Sequence, residues 1–221
     1  MEDVASPDTF IRSMATRGHQ GGLSLAVPGV VRLLDAAGYD PIVIETVGVG
    51  QVEVDVAGTA DTTVVVATPG MGDSVQANKA GLLELADLFV VNKADRPGAN
   101  DVRRDLDLML DLSHVSGSDQ RTGMRPEIIM TTALSGEGAP EMWEAIERHR
   151  DAITENGQLA SRRAQRDLDE VKNRLLADVE LRVETMLGDD SRSDVVAVLD
   201  QVTGRSLSPT AAARQLAAFD L

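Results

Sequence analysis

The tetrad Asn92-Lys93-Ala94-Asp95 closes an apolar run, and its residue types suit the reading of a guanine ring. Asp95 can accept two hydrogen bonds, one from the ring N–H and one from the exocyclic amine, a pair that adenine does not offer. The Lys93 stem can lie along the base face, and Asn92 can tie the loop to neighbouring backbone. Charge-assisted hydrogen bonds of this kind contribute roughly 1.5–3 kcal/mol each. A strand that merely ends in a polar turn carries similar letters, so the tetrad is informative only in company.

Two further run ends supply that company. Glu45-Thr46-Val47-Gly48-Val49-Gly50-Gln51 places a carboxylate where open α/β sheets bind ligands. Glu45 suits a magnesium-bound water, because magnesium usually keeps several waters beside one or two carboxylates. Gly48 can present a backbone N–H to a γ-phosphate with no side chain in the way. Gln51 is a candidate for orienting the attacking water, so Glu45 and Gln51 form the candidate catalytic pair. In the third segment, Thr131-Thr132-Ala133-Leu134-Ser135-Gly136-Glu137-Gly138, small residues allow backbone to approach a base. An N–H near Ala133 can bond the guanine carbonyl. Each motif alone is modest; three in this order, each ending a buried run, point to a GTP-dependent switch.

Four nearly continuous apolar or β-branched runs must position these residues: 41–46, 62–68, 88–95 and 127–133. Such runs suit strands covered on both faces, as in a parallel sheet between helices. Helices are predicted between them: 27–37 stopping at Gly38, 74–86 capped by Asp73, 99–112, and 140–153. Strand alternating with helix predicts a doubly wound α/β domain. After about Gly157 the chain becomes charge-dense. Leu168, Val171, Leu175, Val179 and Val183 recur at three- and four-residue steps, which predicts a long amphipathic helix over 159–187. Shorter helices follow over 193–202 and 210–219, the second with Ser208 as cap and Pro209 in its first turn. The predicted division is a nucleotide-type domain over 1–157 and a helical appendage over 158–221.

Composition narrows the function classes. Of 221 residues, 43% are hydrophobic and only 2% aromatic, so the core is built from Val, Leu, Ile, Ala and Met. The formal net charge of -15 argues against a nucleic-acid groove and against an anionic membrane surface. The chain has no cysteine, which excludes disulfides and thiolate metal sites. His19, His114 and His149 lie far apart with no ligand-like spacing. Neither a secretory leader nor a membrane-length apolar run is present in the sequence, and the expected location is the cytoplasm.

Longer strings carry a family resemblance. FIRSMATRGHQGGL (10–23), IETVGVGQVEVDVAGTADT (44–62), PGMGDSVQANKAGLLELADLFVVNKAD (69–95) and ALSGEG (133–138) resemble the methylmalonyl-CoA mutase-associated GTPases of the MeaB/ArgK type. RHRDAIT (148–154) and LSPTAAARQL (207–216) are similar to that family's helical tail. The resemblance implies an incomplete parallel-sheet P-loop GTPase G domain followed by a helical C-terminal dimerisation region. It implies a homodimer that binds GTP/GDP and Mg2+ and acts as chaperone of an adenosylcobalamin-dependent acyl-CoA mutase. By motif, Glu45 matches the magnesium-associated acid, Asn92, Lys93 and Asp95 the guanine-reading tetrad, and Thr132, Ala133 and Leu134 the base-side backbone contact. Asp73, Gln76 and Lys79 look like the mobile switch through which such domains signal to the mutase; Gly70, Gly72 and Gly81 bracket them.

Two departures accompany the resemblance. The tail lacks tryptophans often seen there, Trp143 being the sole one, and no G-x-x-x-x-G-K-[ST] phosphate loop is present. That loop supplies backbone N–H groups, a lysine and the Ser or Thr that binds magnesium. Losing three or four charge-assisted bonds weakens binding by several powers of ten. The expectation is therefore a GTPase by resemblance whose chain, alone, hydrolyses GTP negligibly. A native protein with a further segment, a phosphate loop on a partner chain, and a degenerate member that only binds the mutase and dimerises are the three alternatives. A nickel-delivering GTPase would want a Cys/His site that the sequence lacks, and Asp95 disfavours an ATPase.

Overall fold

Consecutive β-branched residues crowd a helix and suit a pleated strand. The computed structural model, which describes residues 9–14, 26–46, 58–70, 85–116 and 124–219, places its strands on such runs. These are β1 (Val64–Ala67), β2 (Leu88–Asn92) and β3 (Glu127–Thr131). They form a sheet in the order β1-β2-β3, parallel throughout, with Val64 opposite Leu88 and Asn92 opposite Thr131. Parallel neighbours need a crossover, and α2 (Ala99–Ser116) provides it between β2 and β3.

β2 is the middle strand, and Leu88, Phe89, Val90 and Val91 are all buried, as a strand covered on both faces requires. Phe89 and Val91 share one face and pack with Ala99, Leu106 and Leu110 of α2. Helix α3 (Ala139–Glu155) also packs on β2 and β3, burying Ala145, His149 and Ile153 at four-residue steps. Helix α1 (Val27–Ala36) carries Pro28 in its first turn and is followed by Gly38 at φ +86°, the stop read from the sequence.

The expected strand over 41–46 does not form. That stretch has no strand pairing, and Val43 is 80% exposed. An apolar run specifies a strand only where a neighbour completes its hydrogen bonds, and none among the described residues does so here. The predicted helix over 74–86 lies outside the described residues as far as residue 84.

The chain divides into two compact units, residues 1–166 and 167–221, and the break falls inside α4 (Gln158–Leu187). In the first unit, the opening turns of α4 are held by arginines. Arg162 grips both carboxylate oxygens of Asp87, at 2.9 and 3.2 Å, and donates to the Asp61 carbonyl at 3.0 Å. Arg163 and Arg166 both pair with the Asp61 carboxylate, and Arg166 donates to the Thr59 carbonyl. Asp87 also accepts from the Thr63 N–H at 2.9 Å, while His149 Nε2 lies 3.3 Å away. The other His149 nitrogen, Nδ1, sits 2.9 Å from Thr62 Oγ1. Burial alone would raise the Asp87 carboxyl, but the His149 ring, the Arg162 guanidinium and the Thr63 N–H hold it far below the usual carboxylate range.

In the second unit, Met186 of α4 meets Val195 and Val198 of α5 (Ser193–Thr203) and Ala212 and Leu216 of α6 (Pro209–Leu216). Ser208 caps α6 by accepting from the Ala211 N–H, with Pro209 in the first turn as expected. Arg192 lies over the Phe219 ring at 6.0 Å. Among the described residues, no helix is long and apolar enough to cross a membrane.

Candidate functional site

Parallel strands deliver the residues that follow them to one end of a sheet, and ligands bind at that end in open α/β folds. Two of the three sequence motifs meet there. Asn92, the last residue of β2, stands opposite Thr131, the last residue of β3. Its Oδ1 accepts three hydrogen bonds: from the Lys93 N–H at 2.8 Å, the Ala133 N–H at 3.1 Å and Thr131 Oγ1 at 3.4 Å. The Ala94 N–H donates to the Thr131 carbonyl at 2.9 Å. Asn92 thus ties the two loops together, the tie to neighbouring backbone anticipated for it.

Lys93 adopts φ +59°, a left-handed conformation uncommon outside glycine. The Asn92 and Ala94 bonds on either side hold it, and strain of this kind persists only where its surroundings over-determine it. Lys93 and Asp95 are both exposed.

The 132–138 loop folds back on itself. The Thr132 N–H donates to the Glu137 carbonyl at 2.8 Å, and the Ser135 and Gly136 N–H groups both donate to the Thr132 carbonyl at 3.0 Å. Thr132 is buried, while Leu134 at the tip is fully exposed. The Ala133 N–H is already committed to Asn92, which makes it a poor donor for a guanine carbonyl. Among the described residues the next amide, that of Leu134, has no partner.

The other expected site residues fall elsewhere. Glu45 is exposed in the unpaired 41–46 stretch and makes no hydrogen bond or ion pair among the described residues. Gly48, Gln51, Asp73, Gln76 and Lys79 lie outside the described residues. Among the described residues no group of three acidic or histidine side chains could hold a metal ion. Glu45 stands there as a lone carboxylate, fewer groups than would hold a magnesium ion by themselves. Sequence reading missed the Asp61, Asp87, His149 and Arg162 cluster. Its signal was Arg162, Arg163 and Arg166 on adjacent turns of a predicted helix, with no indication of which acids they meet.

The chain is similar to known proteins over most of its length. The profile of the family described as "Methylmalonyl Co-A mutase-associated GTPase MeaB" matches residues 1–187. The chain is 46% identical over 207 residues to a candidate GTPase of Pyrococcus horikoshii, covering 94% of this chain and 63% of that protein. It is 32% identical over 220 residues to the GTPase ArgK of Escherichia coli, covering 99% and 66% respectively. A mouse protein named methylmalonic aciduria type A homolog, mitochondrial, is 36% identical over 160 residues, 71% of this chain and 37% of its own length. A crystal structure described as a LAO/AO transport system kinase superposes with a TM-score of 0.63 at 28% identity, over 86% of this chain and 60% of that one. The chain thus spans less than two thirds of the length of the archaeal relative and of the solved structure. With its parallel sheet and its paired loops at the ends of β2 and β3, the chain belongs to the methylmalonyl-CoA mutase-associated GTPase (MeaB) family.

Proposed function

We propose that this chain is the guanine-reading portion of a GTP-dependent chaperone for an adenosylcobalamin-dependent acyl-CoA mutase. The observation that carries the nucleotide half of the reading is the three-way acceptance at Asn92 Oδ1, which fixes both base-facing loops at the ligand-binding end of the sheet. Asp95 reads the ring N–H and exocyclic amine, the Lys93 stem covers the base face, and the Thr132–Leu134 backbone meets the guanine carbonyl. In a complete nucleotide site Gly48 would face the γ-phosphate, Gln51 would stand beside the attacking water, and Glu45 would be the acid near a magnesium-bound water. Asp73, Gln76 and Lys79 form the switch. Base selection is the contribution that the described residues support, because the loops that meet at Asn92 are the ones that face the base.

The mutase half of the reading rests on the family's name and on the mouse relative's. It is tested by co-purification with a cobalamin-dependent acyl-CoA mutase, with and without guanine nucleotide. Association at micromolar concentration is expected; its absence under both conditions sinks the chaperone reading.

Residues 1–157 serve as the G domain in this reading, and residues 158–221 serve dimerisation. Support comes from α4, where Leu168, Val171, Leu175 and Val179 form an apolar stripe, each between 46% and 64% exposed. Such a stripe is apolar area that a second copy of α4 can remove from water, at about 25 cal/mol per Å² covered. Sedimentation is expected to give a dimer that Val171→Asp with Leu175→Asp converts to a monomer. A wild-type chain that sediments as a monomer at tens of micromolar overturns the assignment.

A further inference from the structure

We propose that Gly138 is the positioning residue that sets the guanine-reading edge of the 132–138 loop; this rests on the function proposed above. The glycines of this loop read from sequence as room for a base, yet Gly138 makes room for the chain itself. It sits at φ +78°, and a Cβ there would lie 2.0 Å from the Met130 carbonyl oxygen and 3.0 Å from Thr131 Cα. Both are backbone atoms of β3, the last paired strand, and cannot rotate away. No residue with a side chain fits unless the loop lifts off the end of β3.

What such a lift would disturb is specific. Glu137, the residue before Gly138, accepts from the Thr132 N–H at 2.8 Å, and Thr132 is followed by Ala133, whose N–H reaches Asn92 at 3.1 Å. Moving residue 138 by the ångström or more that a Cβ demands therefore pulls the loop away from the Asn92 tie. The Leu134 amide, which must present its N–H to the base, moves with it. Hydrogen-bond energy falls steeply with misplacement on that scale.

Gly136 supplies the control. It has nearly the same backbone conformation, φ +79°, but a Cβ built on it meets nothing within 4 Å. Gly136→Ala and Gly138→Ala thus share the conformational penalty of a side chain at positive φ, and only the second adds the clash with β3.

The experiment compares the wild-type chain with Gly136→Ala and Gly138→Ala. Binding of GMP and of AMP is followed by NMR titration, and exchange of the Ala133 amide proton is measured without ligand. Gly138→Ala is expected to weaken GMP binding about tenfold or more, which corresponds to one lost hydrogen bond. It should also raise Ala133 amide exchange well above the wild-type rate. Gly136→Ala should bind GMP within about threefold of wild type and keep the Ala133 amide protected. Equal behaviour of the two variants in the exchange measurement overturns the proposal. So does loss of folded signals throughout the first unit in Gly138→Ala, since the effect would then not be confined to the loop. If the wild-type chain shows no preference for GMP over AMP, the guanine-reading function fails, while amide exchange still decides whether Gly138 sets the loop.

Discussion

Arg162→Ala is expected to destabilise the first unit by about 3 kcal/mol, because it takes the guanidinium from a buried carboxylate that then keeps only the Thr63 N–H and the His149 ring. The Asp87 side chain is 1% exposed and that of Arg162 15%. Water cannot readily replace the lost partner at so buried a carboxylate. A neighbouring pair sets the contrast. Arg163 is 60% exposed where it meets Asp61, so Arg163→Ala should cost only about 0–1 kcal/mol. For a unit whose total stability is of order 5–15 kcal/mol, the first change is severe and the second minor. Trp143, the sole tryptophan, lies on α3 in the first unit, so its fluorescence in a urea titration reports this unit. A loss below about 1 kcal/mol in Arg162→Ala would show that the cluster does not hold α4.

The same cluster fixes a pH dependence. Asp87 is held below its unfolded value of about 3.9. The stability it contributes is therefore fully present above about pH 4 and is lost as pH falls through the lower, folded value. Near neutral pH the Asp87 contribution is flat. Asp87→Asn should lower stability at pH 7 and make the decline below pH 4 shallower than in wild type. Replacing Arg162 and Asp87 together by Met and Leu should restore only part of the loss, since it removes the buried charge but leaves the Thr63 N–H without its acceptor.

What was legible in the sequence was what is local. The runs at 62–68, 88–95 and 127–133 gave strands because each finds a parallel neighbour, and β2, flanked on both sides, is buried throughout. The run at 41–46 has the same letters and no neighbour among the described residues, and apolar content alone could not separate the two cases. Ser208 with Pro209 was readable because a helix cap is settled within four residues. The Arg162 partner was not, because Asp87 lies 75 residues earlier and only the tertiary fold of the first unit brings it near. Likewise, Asn92 was legible as a loop tie, but its choice of the Ala133 amide, 41 residues on, moves the free donor to Leu134. Side-chain types announce which chemistry is possible; long-range pairing decides which atoms remain to do it.

Asn92→Ala is expected to weaken guanine-nucleotide binding about ten- to a hundredfold and to erase most of the preference over adenine nucleotides. Three hydrogen bonds converge on Oδ1, from the Lys93 and Ala133 amides and from Thr131 Oγ1. At about 0.5–1.5 kcal/mol each, their loss amounts to roughly 2–4 kcal/mol, and every 1.4 kcal/mol is tenfold in affinity. Part of that loss falls on loop geometry rather than on the base, because Lys93 is held at positive φ by these same bonds. Asn92→Asp separates the two contributions. It keeps an oxygen acceptor for all three donors while removing the side-chain N–H groups, so the Ala133 amide should stay protected from exchange. Asn92→Ala should expose that amide and lose selectivity together. NMR titration with GMP and AMP, read beside Ala133 amide exchange, measures both effects. Unchanged selectivity in Asn92→Ala with a freely exchanging Ala133 amide would falsify the tie between loop geometry and guanine recognition. A protected amide in Asn92→Asp, with selectivity kept, would place the work of Asn92 in its single oxygen.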